Sequence, residues 1–248
     1  MKEIRYSRIA LLGFALGIGA LVAAMSAGLG YRADFWPYRT GFSILRVAAW
    51  TGLGGAAIAL VGCFLATRPG RRGVLLGAIG LIAGVLAYGV PSTELKKVRF
   101  LPVIHDVTTD TENPPAFIAA LPIRQAANAA NSTEYGGKKN ADLQKKSYPD
   151  IVTQKRAESR EAVFQRALEI VRGSGWEILA EDPNAGRIEA TDTTFWFGFK
   201  DDIVIRVRAD GPNSALLDIR SISRVGRSDA GANAARIRNF IRELNKAG

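Results

Sequence analysis

Three apolar segments fill the first 91 residues of this chain, at positions 9–30, 42–67 and 74–90. A helix needs roughly 20 apolar residues to cross about 30 Å of hydrocarbon. None of the three segments contains an acidic residue, and only Arg46 is charged. The pattern therefore predicts a transmembrane region of three helices in residues 1–91. A membrane lipid bilayer is the first partner that the sequence indicates.

Basic residues in short flanks of membrane helices mark the cytoplasmic side. The loop between the second and third segments carries Arg68, Arg71 and Arg72, and the N-terminal flank carries Lys2, Arg5 and Arg8. We expect both on the cytoplasmic side of the inner (cytoplasmic) membrane, which places the soluble C-terminal domain on the periplasmic side. The first segment could also be a cleaved signal peptide. Its apolar run of about 22 residues exceeds the 7–15 of a signal core and favours an uncleaved helix.

The charge distribution supports this topology. Residues 1–90 hold nine of the 33 basic residues and two of the 23 acidic ones, so they carry +7 of the net charge of +10. Because the excess of positive charge lies mostly in the membrane flanks, we predict no nucleic-acid partner. The only cysteine, Cys63, lies within the second segment, so no intrachain disulfide can form.

Residues 158–248 predict the core of a soluble α+β domain. Ser159 is a plausible N-cap for a helix that ends at Gly173, and a closing amphipathic helix starts near Asp229. Between the helices, apolar alternation and turn residues predict five strands, at 176–180, 187–191, 194–200, 203–209 and 215–221. The expected fold is helix, five-strand antiparallel meander, helix, in a two-layer sandwich. Residues 92–157 show little periodicity and predict an irregular segment that wraps over this core.

Two polar stretches are candidates for function. The first begins at His105 and continues through Asp106 to Asp110. The second leaves the last strand and enters the closing helix, where free N–H groups and guanidinium groups favour an anion. Its candidate ligand-binding residues are Arg220, Ser223, Arg224, Arg227, Asp229, Asn233 and Arg236.

A structural network explains the same residues and is the interpretation that we favour, because the arginines could pair with aspartates. The candidate carboxylates are Asp106, Asp110, Asp201 and Asp202. On either interpretation we predict that the 105–110 stretch lies against the 220–229 stretch. Both interpretations stay open at this point.

The chain resembles the domain-of-unknown-function family numbered 1499. The segments that carry the resemblance are IHDVTTD, NPPAF, YPDI, GRIEATDTTFWFGFKDDIVIRV and DIRSISRVGRSDAGANAARIRNF, within residues 100–245. The resemblance implies a bacterial domain that often follows a few membrane spans, and it implies no activity. It also implies which residues occupy the motif positions of the family. These are His105, Asp106, Thr109, Asp110, Arg220, Ser223, Arg224, Gly226, Arg227, Asp229, Asn233 and Arg236.

We therefore predict a membrane-anchored domain with an accessory or assembly role, which binds another envelope protein or an anionic envelope component. The alternative is a hydrolase-like enzyme that acts on a lipid or cell-envelope substrate with His105, Asp106 and Asp110. His105 is the only histidine and the soluble part has no cysteine, so we predict no metal site and no cofactor. The aromatic residues 195–199 either line a cavity for a lipid tail or pack in the core, and we favour the core.

Overall fold

The computed structural model describes residues 5–98 and 100–246. The chain forms two compact units. The first consists of residues 1–99 together with 195–198, and the second consists of residues 100–194 together with 199–248. Each unit is described by itself below.

Three long helices make up most of the first unit: α1 (Arg8–Arg32), α2 (Tyr38–Ala66) and α3 (Val74–Val98). Each is long and apolar enough to cross a membrane, with candidate spans at Arg8–Arg32, Tyr38–Ala66 and Val74–Thr93. The third helix continues past the predicted end at residue 90 and contains Pro91. These helices are compatible with membrane anchoring.

Small residues allow the three helices to approach closely. A Cβ atom on Gly17 would collide with the carbonyl of Gly80, and a Cβ atom on Gly84 would collide with the carbonyl of Gly52. Backbones in contact of this kind are typical of membrane helices, where van der Waals packing drives association. The glycine spacing at these positions therefore serves helix packing.

Two very short strands join one end of the helical unit. Strand β1 (Arg5–Tyr6) pairs in parallel with β2 (Arg71–Arg72), with Arg5 opposite Arg71. This pairing brings the basic N-terminal flank and the basic loop between α2 and α3 to the same end of the helices. Both basic flanks therefore lie on one side of any membrane that the helices cross.

The second unit is built on an antiparallel sheet. In chain order it contains β3 (Asp106–Thr108), α4 (Ala120–Ala126), α5 (Gly137–Ser147), β4 (Gln154–Arg156), α6 (Arg160–Gly173), β5 (Glu177–Asp182), β6 (Arg187–Thr193), β7 (Lys200–Ala209), β8 (Ala215–Ser223) and α7 (Ala232–Lys246). The strand order is β3-β8-β7-β6-β5. Strand β4 also pairs with β8, beside the half that β3 leaves free. The predicted α+β class is confirmed.

One face of the sheet packs against α6 and α7 and forms the main apolar core. The amphipathic pattern of both helices produces this packing, because their apolar residues recur at three- and four-residue spacing. Ser159 caps α6 by accepting a hydrogen bond from the N–H of Ala162 at 3.2 Å, as predicted. Large buried side chains of this core include Phe164, Leu168, Ile188, Ile203, Ile205, Leu217, Ile219, Ile237, Phe240 and Leu244.

The predicted strand at 194–200 is wrong. This stretch is the loop between β6 and β7, so the meander has four strands, and β3 and β4 complete the sheet. The backbone N–H of Thr194 donates to the carbonyl of Phe199 at 2.8 Å and closes the base of the loop. The aromatic residues of this loop alternate as in a strand, but residues 195–198 instead pack in the first unit.

The segment 92–157 is more regular than expected, because it contains two strands and two helices besides the end of α3. Helix α5 lies within this segment, which was expected to be irregular. Its Gln144 is buried and pairs with β3, since the side chain accepts from the N–H of Thr108 at 3.0 Å and donates to the Thr108 carbonyl at 2.6 Å. This pairing fixes α5 beside the edge of the sheet.

Candidate functional site

The two polar stretches lie side by side, as predicted. Strand β3 pairs with β8, so Asp106 lies opposite Ile222 and Thr108 lies opposite Arg220. Beyond the strand, the carbonyl of His105 accepts a hydrogen bond from the N–H of Ser223 at 2.9 Å. The 105–110 stretch is therefore joined to the end of β8 by backbone hydrogen bonds.

The candidate ligand-binding residues do not form one site. Successive side chains of a strand point to opposite faces of the sheet. Arg220 and Arg224 therefore lie on the face opposite α6 and α7, whereas Ser223 faces α7 with Asn233 and Arg236. The structure thus divides the predicted cluster into two polar networks, one on each face.

In the first network, hydrogen-bond acceptors surround the guanidinium group of Arg220. Its Nε and Nη2 atoms donate to the two carboxylate oxygens of Asp106 at 2.9 and 2.7 Å. The remaining donors reach the carbonyls of Pro115 and Thr133. The guanidinium carbon also lies 5.2 Å from the ring centre of Phe117. A bidentate pair of this kind is among the strongest charge-assisted contacts in proteins.

Asp202 lies on the same face of the sheet as Arg220 and is fully buried. It accepts from Arg224 at 2.7 Å, from Arg124 at 2.6 Å and from the hydroxyl of Thr191 at 2.7 Å. Burial by itself would raise the pKa of Asp202, but the hydrogen bonds from Arg224, Thr191 and Arg124 hold it below its ordinary value of 3.8. Asp202 is therefore ionised and paired with two guanidinium groups.

Two further buried carboxylates complete this face. Glu189 accepts from the N–H groups of Ile118, Ala119 and Ala120 at 2.9 to 3.1 Å, at the start of α4. Asp218 accepts from Arg206 and Arg208, both at 2.8 Å, and its other oxygen accepts from threonine hydroxyls. Segments that cover this face, such as the start of α4, are therefore held to the sheet by hydrogen bonds to buried carboxylates.

The second network surrounds the start of α7. Arg236 donates to Asp192 and Asp201, each at 2.7 Å, and to the side chains of Ser221 and Asn233. These contacts occupy all three guanidinium nitrogens. The structure confirms that the arginines pair with aspartates, because the predicted carboxylates accept from Arg220, Arg224, Arg206 and Arg236.

Asp229 caps the start of α7. Its two oxygens accept from the N–H groups of Gly231 and Asn233 at 2.8 and 2.9 Å. Burial raises the pKa of the Asp229 carboxyl above its ordinary value of 3.8, although the two backbone hydrogen bonds oppose the shift. A helix start that would otherwise attract an external anion is thus occupied by a residue of the chain itself.

Arg227 and His105 are the candidates that remain outside these networks. Arg227 is exposed, and its side chain makes no hydrogen bond or ion pair within residues 5–98 and 100–246. His105 is half-buried, and none of the described carboxylates forms an ion pair with its ring. The structure therefore does not bring His105 together with Asp106 or Asp110 in a catalytic pair. In the part of the chain that the structure describes, no three histidine, cysteine or acidic residues form a group that could hold a metal ion.

A cavity of about 350 Å³ opens beside α7, at the side of the sheet where β5 begins. Trp176 and Phe240 supply its aromatic wall, with ring centres 6.4 Å apart and planes 21° apart. Asp192 of β6 and Glu243 of α7 supply carboxylates, and Asn239 of α7 also lines the cavity. A hydrogen bond from Lys246 keeps the pKa of Glu243 below its ordinary value, so this group is ionised at neutral pH.

Residues 106–244, more than half of the chain, match the family described as "Protein of unknown function (DUF1499)". The chain belongs to this family. No curated protein matches it in sequence. The match confirms the resemblance, and the DUF1499 region contains both polar networks and the cavity beside α7.

Several residues of the DUF1499 networks were not singled out from the sequence. Arg124, Glu189, Thr191 and Asp218 all lie in buried hydrogen bonds. A signal for Arg206 was present in β7, where Arg206 and Arg208 alternate with Ile205 and Val207. Charges that alternate with core residues on a strand need either solvent or partners, and here they have partners.

Proposed function

We propose that this protein is a membrane-anchored accessory protein whose DUF1499 domain binds a partner protein at the cavity beside α7. The cavity is the observation that carries the proposal, because it combines an aromatic wall with carboxylates that remain partly accessible. The side chain of Asp192 keeps 32% of its accessible surface, and that of Glu243 keeps 48%. Aromatic residues beside charged groups are typical of protein-binding hot spots.

The charges of the cavity favour a basic side chain over an anion. Arg236, the only cation among the lining residues, is already shared between Asp192 and Asp201. Glu243 adds a further carboxylate at the rim. A lysine or arginine of the partner would meet carboxylates and the ring of Trp176, which is a favourable setting for a cation. An anionic envelope component would find no free guanidinium in this cavity.

We propose further that the helices cross the inner (cytoplasmic) membrane with the N-terminus in the cytoplasm and the DUF1499 domain on the periplasmic side. The pairing of β1 with β2 supports this orientation, because it brings two basic flanks to one end of the helices. Basic residues concentrate on the cytoplasmic side of membrane helices. The partner would then be another protein of the cell envelope.

The test is a site-specific photocrosslink in native membranes. A photoreactive residue replaces Asn239 in the cavity, and a matched one replaces Lys139, which is exposed on α5. We expect Asn239 to capture one protein that Lys139 does not capture. Ala235→Trp, which fills the cavity from an exposed helix position, should abolish that product.

Glu243→Gln tests the charge of the occupant and should weaken the same crosslink, since it removes one rim carboxylate. An unchanged product in the Ala235→Trp protein would rule out the cavity as the binding site. A product that contains lipid and no protein would instead support the anionic envelope component.

A further inference from the structure

The loop at residues 195–198 belongs to the helical unit, although the strands on both sides of it belong to the other unit. Three of its four residues are aromatic: Phe195, Trp196 and Phe197. Gly198, with φ +69°, supplies the left-handed turn that ends it. Four residues are thus separated from the sheet that carries them and packed among apolar helices.

Specific hydrogen bonds hold the loop along the last turns of α1. Arg32 donates to the carbonyl of Phe195 at 2.6 Å, and the indole N–H of Trp196 donates to the carbonyl of Met25 at 3.4 Å. Met25 precedes the end of α1 by seven residues, which is about 10 Å along a helix. Gly28 leaves room for Trp196, because a Cβ atom there would lie 2.6 Å from its ring. The loop therefore lies beside the last two turns of α1.

Phe197 joins an aromatic cluster formed by the ends of α1 and α2. Its ring centre lies 5.1 Å from that of Phe42 and 6.3 Å from that of Tyr31. The indole N–H of Trp36, in the connection between the two helices, donates to the carbonyl of Ala27 at 3.1 Å. Tryptophan and tyrosine concentrate at the boundary between membrane and water. The loop thus adds a second tryptophan to the interfacial belt of the helices.

Phe195 is the member of the loop that this packing leaves uncovered, because 93% of its surface is exposed. It lies next to Trp196, at the level of the helix ends. In a bilayer crossed by α1 and α2, an aromatic side chain at this level would meet the layer of lipid headgroups and first acyl carbons. Lipid would cover the apolar surface that the helices leave open.

We propose that the Phe195–Trp196–Phe197 loop is a membrane-interface element and that Phe195 inserts into the lipid. The occupant is the lipid surface itself, because the loop continues the aromatic belt of the spanning helices. The topology agrees with this assignment. Three consecutive spans place the α1–α2 connection and the end of α3 on the same face of the membrane, so residue 195 reaches that face without another crossing.

The depth of Phe195 can be measured in the full-length protein in lipid nanodiscs. Cys63→Ala removes the only cysteine, and single cysteines at three positions then carry a nitroxide. Phe195→Cys tests the loop, and Val22→Cys, on the exposed side of α1, gives the lipid value. Asn213→Cys gives the water value, because it lies in an exposed turn between β7 and β8.

We expect the ratio of collision with oxygen to collision with a water-soluble nickel chelate to be severalfold higher at Phe195 than at Asn213. A ratio at Phe195 equal to that at Asn213 would overturn the proposal. Spin–spin broadening at Phe195 that disappears on dilution with unlabelled protein would also overturn it, since a second copy of the chain would then cover this residue. The result is independent of whether the cavity beside α7 binds a partner.

Discussion

Buried arginine–carboxylate pairs cover a face of this sheet that a small α+β domain would ordinarily fill with apolar side chains. Transferring two charges from water to the interior costs several kcal/mol per ion, and the attraction between them offsets this only when further hydrogen bonds saturate both groups. Arg220 and Asp202 meet that condition, because each makes several short hydrogen bonds with the protein. Removal of one partner should therefore lower the free energy of unfolding by more than the net contribution of the intact pair.

Arg220→Ala and Arg224→Ala should differ in stability, although both remove a buried guanidinium. Arg220 is the only cation that pairs with Asp106 among the described residues, so its loss leaves a buried carboxylate alone and should cost about 3–5 kcal/mol. Asp202 keeps Arg124 when Arg224 is removed, so that change should cost about 2 kcal/mol. Denaturant titration of the full chain in detergent measures both.

Lys139→Ala, on the exposed surface of α5, is the control and should change the free energy of unfolding by less than about 0.5 kcal/mol. Equal losses for the two arginine variants would show that Arg124 does not compensate. A loss near zero for Arg220→Ala would mean that the Asp106 pair is not structural.

Asp202 and Asp229 should respond to pH in opposite directions. The pKa of Asp202 is lowered in the folded state, so its contribution to stability is complete above 3.8 and is lost as the pH falls through the folded value. The pKa of Asp229 is raised, so its contribution is complete below 3.8 and is lost as the pH rises through the folded value. Asp202→Asn should therefore be destabilising at pH 7 and less so in acid.

Asp229→Asn should show the reverse trend, with its stability relative to the wild type improving as the pH rises. Thermal unfolding of both variants between about pH 3 and pH 7 measures the trends, because this window includes the ordinary carboxyl range. Parallel pH profiles for the two variants would contradict the assigned directions.

The sequence predicts that arginines pair with aspartates better than it predicts where these pairs lie on the sheet. A density of arginines beside aspartates indicated a network, and the pairs of Arg220 and Arg224 are of that kind. The contact of Glu189 with the start of α4 could not be anticipated, because the backbone N–H groups that donate to it come from a distant part of the chain. The division of the candidate site between two faces follows from alternation in β8 and could have been predicted.

At the scale of elements, the hairpin of β5 and β6 depends on a single glycine. Gly186 has φ +66°, and a Cβ atom there would collide with the carbonyl of Val207. Its own carbonyl accepts from the N–H of Val207 at 2.7 Å, which joins the turn to β7. Gly186→Ala should therefore destabilise the protein by more than the roughly 1–2 kcal/mol that a left-handed alanine costs.

Gly173→Ala is the matched control, because a Cβ atom at the end of α6 meets nothing within 4 Å. It should be neutral or stabilising by up to about 1 kcal/mol, since alanine favours a helix over glycine. Denaturant midpoints of the two variants give the comparison. Equal midpoints would show that the contact between Gly186 and Val207 does not hold the hairpin.

The elements with strong periodicity were predicted, and those without it were missed. Helices α6 and α7 follow from apolar residues at helical spacing, and β7 follows from Ile203, Ile205 and Val207 at alternate positions. Helix α5 has little apolar character and is held by Gln144, so periodicity could not indicate it. The stretch 194–200 alternates like a strand, but its aromatic residues pack with helices far away in sequence.

At the scale of the whole molecule, the proposed orientation can be tested with reporter fusions. Alkaline phosphatase fused after Gly248 should be active, because the enzyme folds only outside the cytoplasm. The same enzyme fused after Gly70, in the basic loop between α2 and α3, should be inactive. An inactive fusion at Gly248, together with a fluorescent cytoplasmic reporter at the same position, would reverse the orientation.

The placement of residues 195–198 has a consequence for how the chain is made. The helical unit leaves the ribosome first, but residues 100–194 must be synthesised before the loop that completes it. At the usual speed of translation this delay is roughly 5–20 s. During that time the aromatic cluster of Tyr31 and Phe42 has no Phe197 beside it. A nascent chain that stops short of residue 195 thus carries inserted helices with an unfilled gap, by which a quality-control protease could distinguish it from a finished one.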